Sequence, residues 1–455
     1  MGLLLLLLVM AASGALWWQQ VKSAERLRSE TAVQTELRAA QVTSAVSGAA
    51  TTLFRVLDTA CRRLADAYAA DRGPGFGSRV ASETEHLPPG AVLQVGVIDA
   101  QAPSALQAAA RRFIDGFPGM VTYAVKSNPG EEVIENLAAA GVRGYDCASP
   151  FEIDLIRRLA PDAAIHYNNP VRSLAEIAHA VEKGVKSWSV DSKSELAKLI
   201  AHVPAKDCEI SVRFKLPVAG AAYNFGAKFG ATVELATELL KTVAEAGFIP
   251  SITFHPGTQC VDPAAWEAYI RTAAEIARNA GVTIARLNVG GGFPSHRLNA
   301  VVPQFEETFA VIDRVATEAF GDQRPLLVCE PGRALCGDAF TLAARVKSVR
   351  DGSHIFLNDG VYGSMVELPM IGMIDRIEVL DSEGHKRTGE AQPRIVFGPT
   401  CDSVDRLPGE IPLPADIAEG DFVVIHGMGS YSVVTNSRFN GFGELELATV
   451  LSLKV

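Results

Sequence analysis

No CxxC pair occurs anywhere in the chain, and its seven cysteines, Cys61, Cys147, Cys208, Cys260, Cys329, Cys336 and Cys401, are scattered and odd in number. That spacing suggests neither a disulfide framework nor a zinc site, and the plain reading is a reduced compartment. An excess of basic charge is missing too, since the formal net charge is −10. A nucleic-acid binder ordinarily shows a basic patch, so no nucleic-acid partner is expected. There is no short-period repeat, which argues against a solenoid or propeller. There is also no GxGxxG turn, which removes the dinucleotide fingerprint. With 48% hydrophobic and 21% charged residues in 455, the chain can bury a large core and divide into two or three domains.

Only one long apolar run is present. Gly2 to Trp18 is apolar apart from Ser13, at the short end of what spans a bilayer. No Lys or Arg precedes Leu3, so the basic start of a secretory signal is lacking, while Lys22, Arg26 and Arg28 follow the run. On the positive-inside rule a membrane tether would leave the body of the protein in the cytoplasm. A cleaved signal and an incorrectly chosen start codon stay open beside the tether. Residues 19–70 contain no Pro, are rich in Ala, Glu, Arg and Gln, and read as helix. Gly and Pro cluster over 71–90, which reads as a linker, so residues 1–90 form an N-terminal segment without a chemical motif.

From residue 91 short β-rich runs alternate with Ala-rich helical stretches. VTYAVK (121–126), KSWSVD (186–191), EISVRFKL (209–216), SITFH (251–255), ARLNVGGG (285–292) and LLVCEPG (326–332) read as strands. PFEIDLIRRLA (150–160), KSELAKLIAHV (193–203) and AAWEAYIRTAAEIARNAG (264–281) read as helices between them. Alternation of this kind implies parallel strands with crossover helices, and some eight units over 91–340 suit an α/β fold of the (β/α)8 barrel type. After residue 340 the helices stop. FTLAARVKSVR (340–350), RIVFGP (394–399) and DFVVIHG (421–427) predict a β domain over 341–455.

The chemistry-bearing residues sit at strand ends, which in a barrel face the active site. Lys126 ends VTYAVK, and a lysine there can form a Schiff base with an aldehyde cofactor when burial lowers its pKa. Gly290, Gly291 and Gly292 let a backbone approach a phosphate. Glu330 can bind a protonated ring nitrogen and Arg333 a phosphate. His255 can lie against an aromatic ring, and Thr258 can bond a phosphate oxygen. In the β domain Cys401 can donate a proton and Asp402 can hold an ammonium. Each has a plain alternative: a solvent-reaching lysine, a glycine turn, a Glu330–Arg333 salt bridge, a structural histidine, a buried cysteine.

Together these motifs resemble one family. YAVKSN (123–128), GYDCAS (144–149), FHPGTQC (254–260), NVGGGFP (288–294), CEPGR (329–333), NDGVYGS (358–364), GPTCDS (398–403), GMGSYS (427–432) and FNGF (439–442) follow the order of the fold-type III pyridoxal 5′-phosphate (PLP) decarboxylases. The resemblance covers roughly residues 95–455. It implies an alanine-racemase-like barrel plus a β domain, and a homodimer with shared active sites. It implies Lys126 as the Schiff-base lysine, Asp146 near the cofactor and His255 stacked on its ring. Gly290, Gly291, Gly292, Arg333 and Tyr431 would surround the phosphate, with Thr258 beside them, and Glu330 would bind the pyridine nitrogen. Cys401 and Asp402 would enter from the partner subunit, the first to protonate the Cα carbanion and the second to contact the distal amine. No metal is implied.

The aspartate of GPTCDS and the FNGF segment resemble the ornithine and lysine branch, which makes polyamines. Ornithine enzymes usually carry a second acid a few residues after DGVYGS, where this chain has Ile371 in an apolar stretch. Glu367 or Asp375 could replace it, or the pocket could prefer another distal group. A diaminopimelate decarboxylase, a non-catalytic regulatory relative and a racemase are the competing readings. Lys126 and Cys401 count against the regulatory relative, and Glu330 against the racemase.

Overall fold

The structure, a computed structural model, describes residues 92–97, 105–217 and 228–450. The apolar run at Gly2–Trp18, the helix expected over 19–70 and the linker over 71–90 lie outside the described residues. Among the described residues no helix is long and apolar enough to cross a membrane.

Eight parallel strands close into a barrel: β2 (Met120–Ala124), β3 (Gly144–Cys147), β4 (Ala164–Tyr167), β5 (Ser187–Val190), β6 (Glu209–Arg213), β7 (Ile249–Thr253), β8 (Arg286–Asn288) and β9 (Leu326–Cys329). β9 pairs with β2 and completes the ring. Helix α1 (Ala105–Gly116) precedes it. Helices α2 (Glu131–Ala140), α3 (Pro150–Leu159), α4 (Leu174–Glu182), α5 (Lys193–His202), α6 (Val233–Glu245), α7 (Ala264–Ala280) and α8 (Phe305–Phe320) connect successive strands.

Local chemistry sets the helix ends. Ser149, Ser173, Ser192 and Thr232 each accept a backbone N–H of the first turn of α3, α4, α5 and α6. These hydroxyls satisfy donors that have no partner within the helix. At Ser173 the Glu176 carboxylate reaches back to complete a capping box.

Strand residues alternate between two environments. Tyr123, Tyr145, Tyr167, Trp188, Ile210 and Leu287 are fully buried in the apolar cluster shared with the helices. The alternate positions hold buried polar groups: Thr122, Asp146, His166, Ser187, Glu209, Ser211 and Asn288. Barrel interiors are usually filled by branched apolar side chains. Here the inward layers are hydrogen-bonded. At the start of the strands Ser187 Oγ donates to Glu209 Oε2 (3.0 Å) and Arg286 Nε to Glu209 Oε1 (2.9 Å).

A second, mixed sheet follows. β10 (Phe340–Arg350) runs through it, with β11 (His354–Leu357), β12 (Ile377–Leu380), β13 (Ala391–Phe397), β14 (Ile411–Pro414), β15 (Phe422–His426) and β16 (Leu445–Val450). β1 (Val92–Val97) falls within the stretch read as barrel from sequence, yet it pairs with β10 and β16. The barrel is closed by eight other strands and offers β1 no edge. β10, at eleven residues, is long enough to serve β1 and β15 along its first half and β11 along its second.

Candidate active site

Lys126 lies on the single turn Val125–Ser127 directly after β2, and its Nζ donates to Asp146 Oδ2 at 2.8 Å. The carboxylate is buried, at 2% exposure, whereas the lysine side chain is 45% exposed. Burial disfavours the ammonium, but Asp146, Tyr431 and Glu330 outweigh it and hold Lys126 above the ordinary lysine pKa. The lowered pKa that suits a Schiff-base lysine is therefore not what these neighbours favour. Asp146, on the neighbouring strand β3, is the largest of these opposing influences.

Glu330, one residue beyond β9, is buried at the same mouth. Asn168 and Asn288 both donate Nδ2–H to its Oε1. Burial, then the charge of Asp146, push its carboxyl up to about 7, against the opposing pull of Lys126. Glu330 and Arg333 are not paired with one another, so the salt-bridge alternative for CEPGR is not what the chain adopts.

The glycine run follows β8. A Cβ on Gly290 would lie 2.2 Å from the Phe254 carbonyl oxygen, one on Gly291 2.7 Å from that of Glu330, and one on Gly292 2.3 Å from that of Gly257. Gly290 and Gly292 also have φ of +71° and +90°. No side chain fits at any of the three, so the backbone itself forms the wall. Phe293 anchors it from behind, stacked on Trp266 at 5.0 Å and edge-on to Phe113 at 5.3 Å. His255 and Thr258 lie in the loop after β7. Nδ1 of His255 accepts the Gly257 N–H at 3.0 Å, which leaves the ring proton on Nε2. Burial, Arg213 and Lys126 hold His255 well below the usual histidine pKa, so the ring is neutral.

Arg333 opens the short helix α9 (Arg333–Cys336) and is buried. Its Nη1 and Nη2 grip the two oxygens of Glu367 at 2.5 and 2.6 Å, and Nη1 also donates to Ser430 Oγ at 3.0 Å. The guanidinium lies 5.0 Å from the centre of the Tyr431 ring. Tyr431 adopts φ +51° and donates its N–H to the Ser127 carbonyl at 2.8 Å, which binds this loop to the Lys126 turn. Neither Glu367 nor Asp375 stands free as a second acid: Glu367 is held by Arg333, and Asp375 Oδ1 accepts the Asn299 N–H at 2.6 Å.

Cys401 and Asp402 form a separate group on the second sheet. Cys401 is exposed, and its Sγ and backbone N both donate to Asn440 Oδ1. Asp402 Oδ2 accepts the Tyr362 hydroxyl at 2.6 Å, which holds its carboxyl below the usual range. Neither residue bonds to a barrel-mouth residue in this chain. The structure thus gathers Lys126, Asp146, His255, Glu330 and the three glycines at one mouth, ties Arg333 and Tyr431 to it, and leaves Cys401 and Asp402 apart.

Several residues of the mouth escaped the sequence reading. Asn168 and Asn288 hold Glu330 from 162 and 42 positions away. Arg213, the last residue of β6, faces Glu330 and Asp146, and its strand-end position was the available signal. Glu152 accepts the Ala148 N–H at 2.6 Å, and burial raises its carboxyl to about 7.

Residues 101–337 match the family model for the pyridoxal-dependent decarboxylase, pyridoxal binding domain. The chain is 32% identical to the ornithine decarboxylase of Mus musculus over 72% of its own length and 75% of that protein. It is 30% identical to antizyme inhibitor 2 of Xenopus laevis over 73% and 76% of the two chains. Among solved structures it resembles the arginine decarboxylase of Paramecium bursaria Chlorella virus, with a TM-score of 0.72, 25% identity, and coverage of 82% of this chain and 100% of that one.

Proposed function

The chain belongs to the pyridoxal-dependent decarboxylases and acts on amino acids with pyridoxal 5′-phosphate, and within that family we propose ornithine or lysine as the substrate, giving a diamine for polyamine synthesis in the cytoplasm. The residues suit the cofactor. A lysine amine, a buried carboxyl, a neutral imidazole and a backbone wall with no room for a Cβ converge at one mouth. When bound, the cofactor supplies the electron sink for the pair left as CO2 departs.

The chain's own residues take the remaining parts. Lys126 Nζ must give up a proton before it can act as a nucleophile; Asp146 Oδ2, at 2.8 Å, orients the amine and favours its charged form until the cofactor is bound. Glu330, gripped by two asparagine amides and with a pKa of about 7, is suited to stabilise a proton on a ring nitrogen. Gly290–Gly292, Arg333, Thr258 and Tyr431 are assigned to the phosphate, and His255 to the face of the ring. Cys401 Sγ–H would return a proton to Cα, and Asp402, held by Tyr362, would bind the distal ammonium. Because this pair bonds to nothing at the barrel mouth of its own chain, we assign it to the site of a second copy in a homodimer.

The observation that carries the substrate reading is Asp402. Its lowered pKa keeps it anionic, which favours a substrate with a second amine over one with a second carboxylate. The likeness to antizyme inhibitor 2 raises a regulatory reading, and the presence of both Lys126 and Cys401 opposes it. An amine-release assay with purified protein, PLP and a panel of ornithine, lysine, arginine and diaminopimelate tests the assignment. Turnover of ornithine or lysine supports it, and turnover confined to diaminopimelate or absent altogether overturns it.

A further inference from the structure

We propose that Glu367 is a positioning residue that fixes Arg333 so that one edge of its guanidinium is presented to the cofactor's phosphate, an inference that rests on the assignment of Arg333 to that phosphate. A guanidinium has five N–H donors arranged along edges. Glu367 takes the end-on edge, one donor from Nη1 and one from Nη2. Ser430 Oγ takes the outer donor of Nη1. The two donors left are Nε–H and the second Nη2–H, and they point in parallel from the same side. That pair is the fork that fits two oxygens of a phosphate. Arg333 is 7% exposed, and this edge is the one that neither Glu367 nor Ser430 engages.

Glu367 is itself firmly held. Met365 and Leu368 on either side of it are fully buried in the core of the second sheet, and Ile374 is buried further along. The carbonyl of Glu367 accepts the N–H groups of Met370 and Ile371, both at 3.0 Å. The same loop is fastened to the continuation of the glycine run. Asp375 N–H donates to the Arg297 carbonyl at 3.2 Å, Arg376 Nη1 to the His296 carbonyl at 2.8 Å, and Arg297 Nη2 to the Gly372 carbonyl. One loop thus sets the separation of the two elements assigned to the phosphate, Gly290–Gly292 and Arg333. Arg297 is buried beside Arg333 and Glu367. Two arginines against one carboxylate leave this pocket net cationic, so Glu367 orients Arg333 without cancelling the attraction for an anion.

The test compares PLP with pyridoxal, which lacks the phosphate, in equilibrium titrations of cofactor-free protein read by tryptophan quenching. In Glu367→Ala the Kd for PLP should rise tenfold or more while that for pyridoxal stays within about twofold. Glu367→Gln, isosteric and able to accept one bond, should fall between, and it keeps the test valid where the alanine variant does not fold. Equal weakening of both ligands would make Glu367 a general support of the fold and overturn the proposal. Unchanged or tighter PLP binding would overturn it as well. Wild-type protein that prefers PLP over pyridoxal, but loses none of that preference in Arg333→Met, would overturn the assignment of Arg333 beneath it.

Discussion

Asn440 accepts hydrogen bonds from both Sγ and the backbone N–H of Cys401, 39 positions earlier, and holds φ +53° while doing so. The FNGF segment is therefore the clamp of the GPTCDS loop. Asn tolerates this left-handed backbone better than most residues, and its side-chain oxygen is what reaches the thiol.

Asn440→Gly keeps that backbone accessible and removes the acceptor. Amine release by the variant should fall roughly tenfold, as expected for a general acid that has lost its orientation. Alkylation of Cys401 by iodoacetamide should speed up, measured as the rate of label incorporation. Unchanged turnover together with unchanged labelling would dismiss the clamp.

Glu330 makes stability depend on pH in a definite sense. Folded, its carboxyl holds a proton to about pH 7, while unfolded it lets go near 4.5. Unfolding therefore releases a proton between these values, and the folded state loses stability as pH rises from 4.5 through 7, by on the order of 3 kcal/mol at most. Glu152 and Asp359, also raised by burial, act in the same sense, whereas His166, lowered to about 4, acts against it. The contribution of Glu330 is then the difference from Glu330→Gln. In cofactor-free protein, urea midpoints of the wild type should fall more steeply from pH 5 to 7.5 than those of the variant. Parallel curves would refute it.

No second acid is assigned to the distal pocket among the described residues. With Glu367 and Asp375 committed elsewhere, Asp402 alone is assigned to the far amine, and a charge-assisted contact contributes about 1.5–3 kcal/mol. Ile371→Asp should lower the KM for ornithine roughly tenfold, at about 1.4 kcal/mol per decade, and change kcat little. A wild-type KM already micromolar, unimproved by the substitution, would place the second charge at another residue.

Shared sites have a stoichiometric signature. Lys126→Ala and Cys401→Ala should each be close to inactive as homodimers. Mixed in equal amounts, they should regain about a quarter of wild-type activity, because half the dimers are hybrid and each hybrid has one intact site. No recovery after verified subunit exchange would mean that each chain builds its own site.

The barrel was legible because its outward strand faces are continuous apolar runs. Trp188 and Val190 in KSWSVD and Ile210 and Val212 in EISVRFKL announce buried strands. β1 was not legible as part of the second sheet. VLQVGV carries a strand pattern but no mark of a partner, and which strands find an edge is decided by closure of the ring. The same division holds at the mouth. Lys126, Glu330 and the glycines stand out at strand ends, whereas the grip of Asn168 and Asn288 on Glu330 and of Glu367 on Arg333 joins residues 34 to 162 positions apart. The charge state of Lys126 likewise depends on a carboxylate on the neighbouring strand, which its own segment does not announce.

The hydrogen-bonded floor of the barrel makes change there collective. Replacing Glu209 alone removes the partner of the half-buried guanidinium of Arg286 and of the buried hydroxyl of Ser187 together. Replacing all three with well-fitted aliphatic side chains leaves only the buried His166 ring, which lies 3.4 Å from Arg286 Nη1, to be accommodated. Related chains should therefore differ at Ser187, Glu209 and Arg286 in concerted sets, passing from one closed arrangement to another with few viable intermediates. An engineer retuning the mouth above would have to treat that floor as one part.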